Sequence, residues 1–369
     1  MTSLVHHQSC ESVHSSLDLF SVPPTQTALE EGQYIEHHPL ATLAVGAPIE
    51  FSVQTTGEYI DLARVHLHIK AKITKPDGSA FAAGEDVAPV NNWLHSLFSQ
   101  VDVSLNDTLI TPSENTYPYR AYFEKLLSYG QEAKESHLTT SLFYRDGINH
   151  MDDTAGTDNI GRSVRQKLSA EGKTVDLYGR LHADIFHQHR YLLNGVNMKL
   201  RLIPSKSTFN LIAHSDDANP IAPRSLITHA SLFVRKVRLN PALELAHEKA
   251  LQQGTAKYPI KRVNLKTFSI SQGSLGCVKD NLYLGQLPTR LIVGLVDSTA
   301  FNGSYSKNPF NFKTQNITYM SLHVQGRQIP STPLTPQFDQ DSYVRAYHGL
   351  MEATGVSDTD SGNYLNFII

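Results

Sequence analysis

The chain has 369 residues, of which 40% are hydrophobic and 18% charged, and its net charge is -3. That length exceeds one ordinary core and suits two domains, and the charged fraction falls below the roughly 25% usual for soluble domains, so partners are expected to cover much of the surface. A near-neutral balance excludes a global attraction to nucleic acid; such contact is expected to be weak or indirect and would need a local basic patch.

The first residues, MTSLVHHQSCESVHSS, lack the basic and apolar runs of a signal peptide, and no stretch approaches the ~20 apolar residues that span a bilayer. Cys10 and Cys277 cannot make a disulfide framework. The expectation is a protein made inside the cell and not secreted, with the sequons at Asn106, Asn302 and Asn316 unused. Residues 1–45, rich in Ser, His and Pro and without a sustained period, read as an extended arm that orders on a partner or neighbouring domain, with Leu17, Leu19 and Phe20 as anchors, the alternative being a disordered tail. The pairs His6-His7 and His37-His38 have a poor spacing for chelation and read as loop histidines.

A first domain is expected over 46–240. PIEFSV reads as a strand, and YIDLARVHLHIKAKI as a long one whose alternation slips between Leu62 and Val65, where a bulge restores the facing. Val101, Val103 and Leu105 alternate with polar residues before the turn Asn106-Asp107, which predicts a hairpin. A helix follows with Pro118 in its first turn and Tyr119, Tyr122, Phe123, Leu126 and Leu127 on one face. The polar stretch from His137 to Lys173 reads as a projecting functional loop. Strands resume at TVDLYGRLHADIF, NMKLRLIP, FNLIA and LITHASLFVRKVRL, with a turn at Asn194-Gly195.

Residues 241–259 read as a helix and linker: Asn240 caps, Pro241 opens, Leu243, Ala246, Ala250 and Leu251 form a stripe, and Gly254 ends it. A second domain over 260–369 opens with the strands VNLKTFSI and TRLIVGLV. After its helix the first domain has three or four strand signals and the second has one, in NYLNFII, so the second is expected to be incomplete and the chain a truncated or fragmentary product.

A variant of the stretch from Ala88 to Gly130 returns between Lys307 and Gly355. Asn92 and Trp93 match Asn311 and Phe312, and Val103 and Leu105 match Leu322 and Val324 before the turn Gln325-Gly326, all at an offset of 219 residues. Arg120-Ala121-Tyr122 and Gly130 then match Arg345-Ala346-Tyr347 and Gly355 at an offset of 225. Aromatic segment, strand, turn, prolines, helix and glycine recur in one order, as in a duplicated supersecondary unit.

Enzymatic signatures are absent: there is no Gly-x-Ser-x-Gly, His-Glu-x-x-His, P-loop or dinucleotide fingerprint. His187 and His189, with His182 nearby, have loose metal-ligand spacing and no carboxylates arranged around them in sequence, so they read as solvated histidines. Asp152, Asp153 and Asp158 fail the EF-hand spacing and read as a polar loop. Arg235, Lys236 and Arg238 could meet phosphate, but read as charges that keep a strand edge soluble. No catalysis, cofactor or metal is expected.

Through PVNNWLHSLFSQVDVSLNDTLI, NTYPYRAYFEKLLSYG, YLLNGVNMKLRLI, LFVRKVRLNPALELAHEKALQQGTAKYPI, NLYLGQLPTRLIVGLVD and AFNGSYSKNPFNFK, the sequence from about Ser16 onward resembles the major capsid protein of Maverick or Polinton elements and adintovirus-like viruses, including genome-integrated copies. The resemblance implies an all-β tandem double jelly-roll with short covering helices, and homotrimers that form pseudo-hexagonal capsomers in a virion. It leaves open a minor capsid or penton partner, and whether assembly is cytoplasmic or nuclear. Family members continue beyond NYLNFII. An alternative from another class is a carbohydrate- or receptor-binding β-sandwich module, since jelly rolls also serve lectins. A domesticated or degenerate cellular copy without an assembly role is a third.

Overall fold

Alternating apolar residues draw the strands of a sandwich in the computed structural model, which describes residues 14–22, 24–214, 222–360 and 362–365 together with Gln8, Ser9 and Ser12. In chain order the first part contains β1 (Leu29–His37), β2 (Ile49–Val53), β3 (Tyr59–Thr74), β4 (Val87–Pro89), α1 (Trp93–Ser96), β5 (Phe98–Leu105), β6 (Thr108–Leu109), α2 (Tyr117–Ser128), α3 (Gln131–Glu135), α4 (Ile160–Ser169), β7 (Val175–Arg180), β8 (Met198–Pro204), α5 (Ser207–Asn210), β9 (Leu211–Ala213) and β10 (Arg224–Leu239).

Two four-stranded antiparallel sheets have the orders β1-β10-β3-β7 and β2-β8-β5-β6, with β4 and β9 paired separately. Leaving that short pair aside, the first, third, sixth and eighth strands share one sheet and the others share its partner, which is the strand order of a jelly roll. Between the sheets lie Ile60, Leu62, Val65, Leu67 and Ile69 of β3, Phe51 of β2, Val103 of β5 and Leu200 and Leu202 of β8, each at most 1% exposed. The expected slip in β3 is present: Val65 pairs with Val234 and Ile60 with Lys236, so four residues of β3 face Arg235 alone. The excess residues form a bulge, and the core facing resumes beyond it.

Four expectations change. The extended arm does not reach residue 45, because Leu29–His37 pairs with β10 as an edge strand; its backbone groups find ladder partners that composition could not reveal. The stretch from His137 to Lys173 does not project. Within it α4 buries Arg162 and Arg165 completely, and Arg165 reaches the Pro89 carbonyl at 2.9 Å, the Tyr144 carbonyl at 2.7 Å and Asp146 at 2.5 Å. These partners satisfy the guanidinium, so residues that look solvated in sequence can pack inside. The basic run of β10 is not at an edge, since β10 lies between β1 and β3. Arg235 pairs with Asp61, Lys236 with Glu58, and Arg238 with Glu30 and Glu31, so each cation is engaged by acids of neighbouring segments.

The fourth change lies beyond the first sandwich. Helix α6 (Pro241–Gln253) is capped by the Asn240 side chain, which accepts from the Ala242 N–H, and is followed by Gly254 as expected. None of its residues is fully buried: Leu243 packs beside Tyr59, Val237 and Leu239, while Leu251 is exposed. The expected strands VNLKTFSI and TRLIVGLV run outside any ladder, with only Val296 bridging to Phe312. Alternation prescribes an extended chain, but a strand also needs a neighbour, and among the described residues none lies alongside. Then come α7 (Ser298–Asn302), the hairpin of β11 (Met320–Val324) and β12 (Arg327–Leu334), and α8 (Val344–Thr354). NYLNFII lies mostly outside the described residues. The chain exposes 22514 Å², against about 15,000 Å² for a compact monomer of its 41.0 kDa mass.

Candidate functional site

Helix α2 joins the two parts of the molecule. Its N-terminal residues Tyr117 and Ala121 face the sandwich core, while Tyr119 and Tyr122 meet Phe310 in a second apolar cluster with Val90, Phe143 and Ile212. Tyr122 stacks on Phe310 with ring centres 4.3 Å apart, and Phe123 lies 4.9 Å from Phe312. The aromatic segment of the second repeat therefore docks on the helix of the first.

The polar face of α2 carries a cluster. Arg120 donates from Nε to Glu124 Oε1 at 2.9 Å and from its terminal nitrogen to Asp184 at 2.5 Å. Glu124 Oε2 lies 2.6 Å from His182 Nδ1 and 3.7 Å from His187 Nε2. Burial lowers His182 to about 4 against the pull of Glu124, so its ring is neutral near pH 7 and donates to the carboxylate. Burial opposes ionisation of Glu124, but the His182 bond, with Arg120 and His187 alongside, outweighs it and holds the carboxyl at about 2. Behind these groups, His95 packs edge-on to His182 at 4.7 Å, its Nδ1 is 2.9 Å from the Tyr117 hydroxyl, and burial lowers its pKa well below the usual imidazole range. Lys125, fully enclosed, donates to Asn92 Oδ1 at 2.8 Å and to Ser141 Oγ at 2.5 Å, and burial lowers it to about 7.

The paired residues of the repeat sit in different surroundings. Asn92 precedes α1 in a left-handed conformation and Trp93 is wholly buried, whereas Asn311 and Phe312 are half-buried. Val103 is buried in β5 and Leu105 lies at its end, while Leu322 pairs with Ile329 and Val324 with Arg327 in the second hairpin. Arg120 binds carboxylates, but Arg345 donates to the carbonyls of Pro333 and Thr332 at 2.8 and 2.7 Å. Tyr122 stacks, whereas the Tyr347 hydroxyl donates to the Leu365 carbonyl at 2.7 Å. Gly355 closes α8 with φ 76°; Gly130 has φ -76° and leads straight into α3.

Of the histidines singled out by sequence, His182 and His187 meet Glu124, and His189 takes no part. The separation of Glu124 from His182 by 58 residues hid the carboxylate from any local spacing argument. His150, Asp153 and Asp158 form a second, more exposed group, while Asp152 turns instead to Lys313 and the Asn308 N–H. Among the described residues no helix is long and apolar enough to cross a membrane.

No protein-family model matches the chain. The uncharacterized Caenorhabditis elegans protein F54H12.2 is 28% identical over 345 residues, covering 90% of this chain and 79% of that protein. Among solved structures, the chain is similar to the Sputnik virophage structure (TM-score 0.42, 10% identity, 65% of this chain and 54% of that one). It is similar also to the Faustovirus major capsid protein (0.39, 9%, 63% and 58%) and the mavirus major capsid protein (0.33, 12%, 63% and 52%). The chain spans between half and three fifths of the length of these three structures.

Proposed function

We propose that the protein is a structural shell subunit of the double jelly-roll type, a major capsid protein without catalysis whose copies assemble as trimers. One observation carries this reading: a jelly roll that holds a hairpin followed by a helix, β5-β6 and α2, is followed by a segment with a hairpin and helix of its own, β11-β12 and α8, and the aromatic residues ahead of that hairpin, Phe310 and Phe312, dock on α2. Two unlike but related halves in a cyclic trimer present six similar edges, a geometry suited to a closed lattice. In this reading the first jelly roll runs from Leu29 to Leu239, residues 240–259 link, and the second unit begins at 260. The exposed area supports association. From Val263 to Val293 the chain displays Phe268, Leu275, Val278, Leu284 and Leu287, all more than two-fifths exposed, and large obligate interfaces bury such residues.

Size-exclusion chromatography with light scattering tests the reading. The expected mass is three times 41.0 kDa, and a well-folded protein that stays monomeric at high concentration would overturn it.

A further inference from the structure

We propose that Glu124, His182 and His187 form a binding site for a divalent zinc ion that pins the linker of the second unit to helix α2. The three donor atoms come from α2 and from the connection between β7 and β8, and lie within 4.8 Å of one another. Two imidazoles and one carboxylate are a ligand set that zinc accepts, with bonds of about 2.0–2.2 Å, which place tetrahedral donors roughly 3.4 Å apart. The 3.7 Å separation of Glu124 from His187 is close to that value, and the 2.6 Å separation from His182 would open slightly as an ion replaces the shared proton.

The surroundings suit an ion. Glu124 turns one oxygen to Arg120, which Asp184 also engages, and the other oxygen to the two imidazoles. Arg120 fixes the outer oxygen of Glu124 and is itself held by Asp184, the kind of outer support that orients a metal-binding carboxylate. His182 is buried and His187 is 41% exposed along its side chain, so an ion has a path from solvent and water can complete the coordination.

The site also has a structural target. The loop carrying His187 holds the linker at two points and the start of the second unit at a third: Gln188 donates to the Pro259 carbonyl at 2.9 Å, Arg190 to the Lys257 carbonyl at 2.6 Å, and Asp184 accepts from the Val263 N–H at 3.2 Å. An ion shared between this loop and α2 fastens the linker to the helix on which Phe310 and Phe312 dock. The inference does not depend on assembly into a shell.

The test uses the full chain, stripped with a chelator and titrated with zinc chloride against a chromophoric competitor. One equivalent of zinc should bind, raise the melting temperature and slow tryptic cleavage between Lys257 and Arg262. His187→Ala removes a partly exposed ligand, so the metal-free variant should melt as the parent does while binding zinc at least tenfold more weakly. Cobalt in place of zinc should give the visible bands of a four-coordinate nitrogen and oxygen site in the parent alone. Failure of the parent to take up one equivalent overturns the proposal, as does equal uptake by His187→Ala or uptake abolished instead by His150→Ala. Uptake without protection of the linker overturns the pinning role.

Discussion

The two hairpins of the repeat make the same turn and meet different fates. Asn106 and Asp107 have φ of 46° and 64°, and Gln325 and Gly326 have 50° and 78°, so both connections are two-residue turns with both central residues left-handed. The flanking pairs correspond, Leu105 with Thr108 and Val324 with Arg327. Yet Val101 and Val103 are buried while their counterparts Met320 and Leu322 are only half-covered. The difference is the neighbour: β5 pairs with β8 on its other side and faces a second sheet, whereas β11 pairs with β12 alone. Turn geometry is local and travels with the sequence; burial depends on a layer supplied from elsewhere.

Substituting matched positions sharpens that contrast. Trp93→Ala, at a site with no exposure, should cost ~3–5 kcal/mol in urea unfolding. Phe312→Ala, its half-buried counterpart, should cost about half as much; equal losses would mean that the second unit is packed as tightly as the first. Next in size is Gly161→Ala. A methyl group there would sit 2.0 Å from the Arg145 carbonyl oxygen, a backbone atom, and the repacking should cost on the order of 3 kcal/mol. Gly254→Ala, in open space at the end of α6, should stay within about 0.5 kcal/mol. Thermal melts of the two variants compare the packed part of the chain with its linker.

Much of the first sandwich was legible because its signals are local. Alternation placed β2, β3, β5, β7, β8 and β10, the slip between Leu62 and Val65 marked the bulge, and Asn240-Pro241 marked the start of α6. What could not be read depends on distant partners. Leu29–His37 looks like tail until β10 lies beside it, and Arg162 and Arg165 look solvated until carbonyls surround them. The candidate site is the extreme case. His187 and His189 were visible as a loose pair with His182 nearby, but Glu124 and Lys125 lie off the apolar face read for α2, and only the fold turns them inward.

Lys125 offers a contrast within α2 that responds to pH. The folded protein releases its proton near pH 7, while the unfolded chain holds it to about 10.5, so the unfolded state binds more protons in that window and stability rises with pH through it. Lys125→Met removes the contribution. Unfolding free energy measured against pH should be steeper in the parent than in the variant, by up to about 1.4 kcal/mol per pH unit between 7 and 10.5. Parallel curves would mean that the amine keeps its charge in the folded state, with Asn92 and Ser141 as sufficient partners.

The smallest effect on stability is expected where the second unit is most open. Leu284 is 85% exposed, so Leu284→Asp should leave the free energy of unfolding of a single chain within about 0.5 kcal/mol. If a second copy covers this stretch, the same change removes roughly 1.5–3 kcal/mol of apolar burial on association, weakening self-association by about 10- to 100-fold. Leu168→Asp, an exposed leucine on α4 of the packed part, serves as the control and should leave both quantities unchanged. Sedimentation velocity over a concentration series separates the two variants. Equal association would detach the exposed apolar stretch from assembly and leave its lack of cover as a property of the single chain. Weaker association of Leu284→Asp alone would show that the layer missing from the second unit is supplied by another copy.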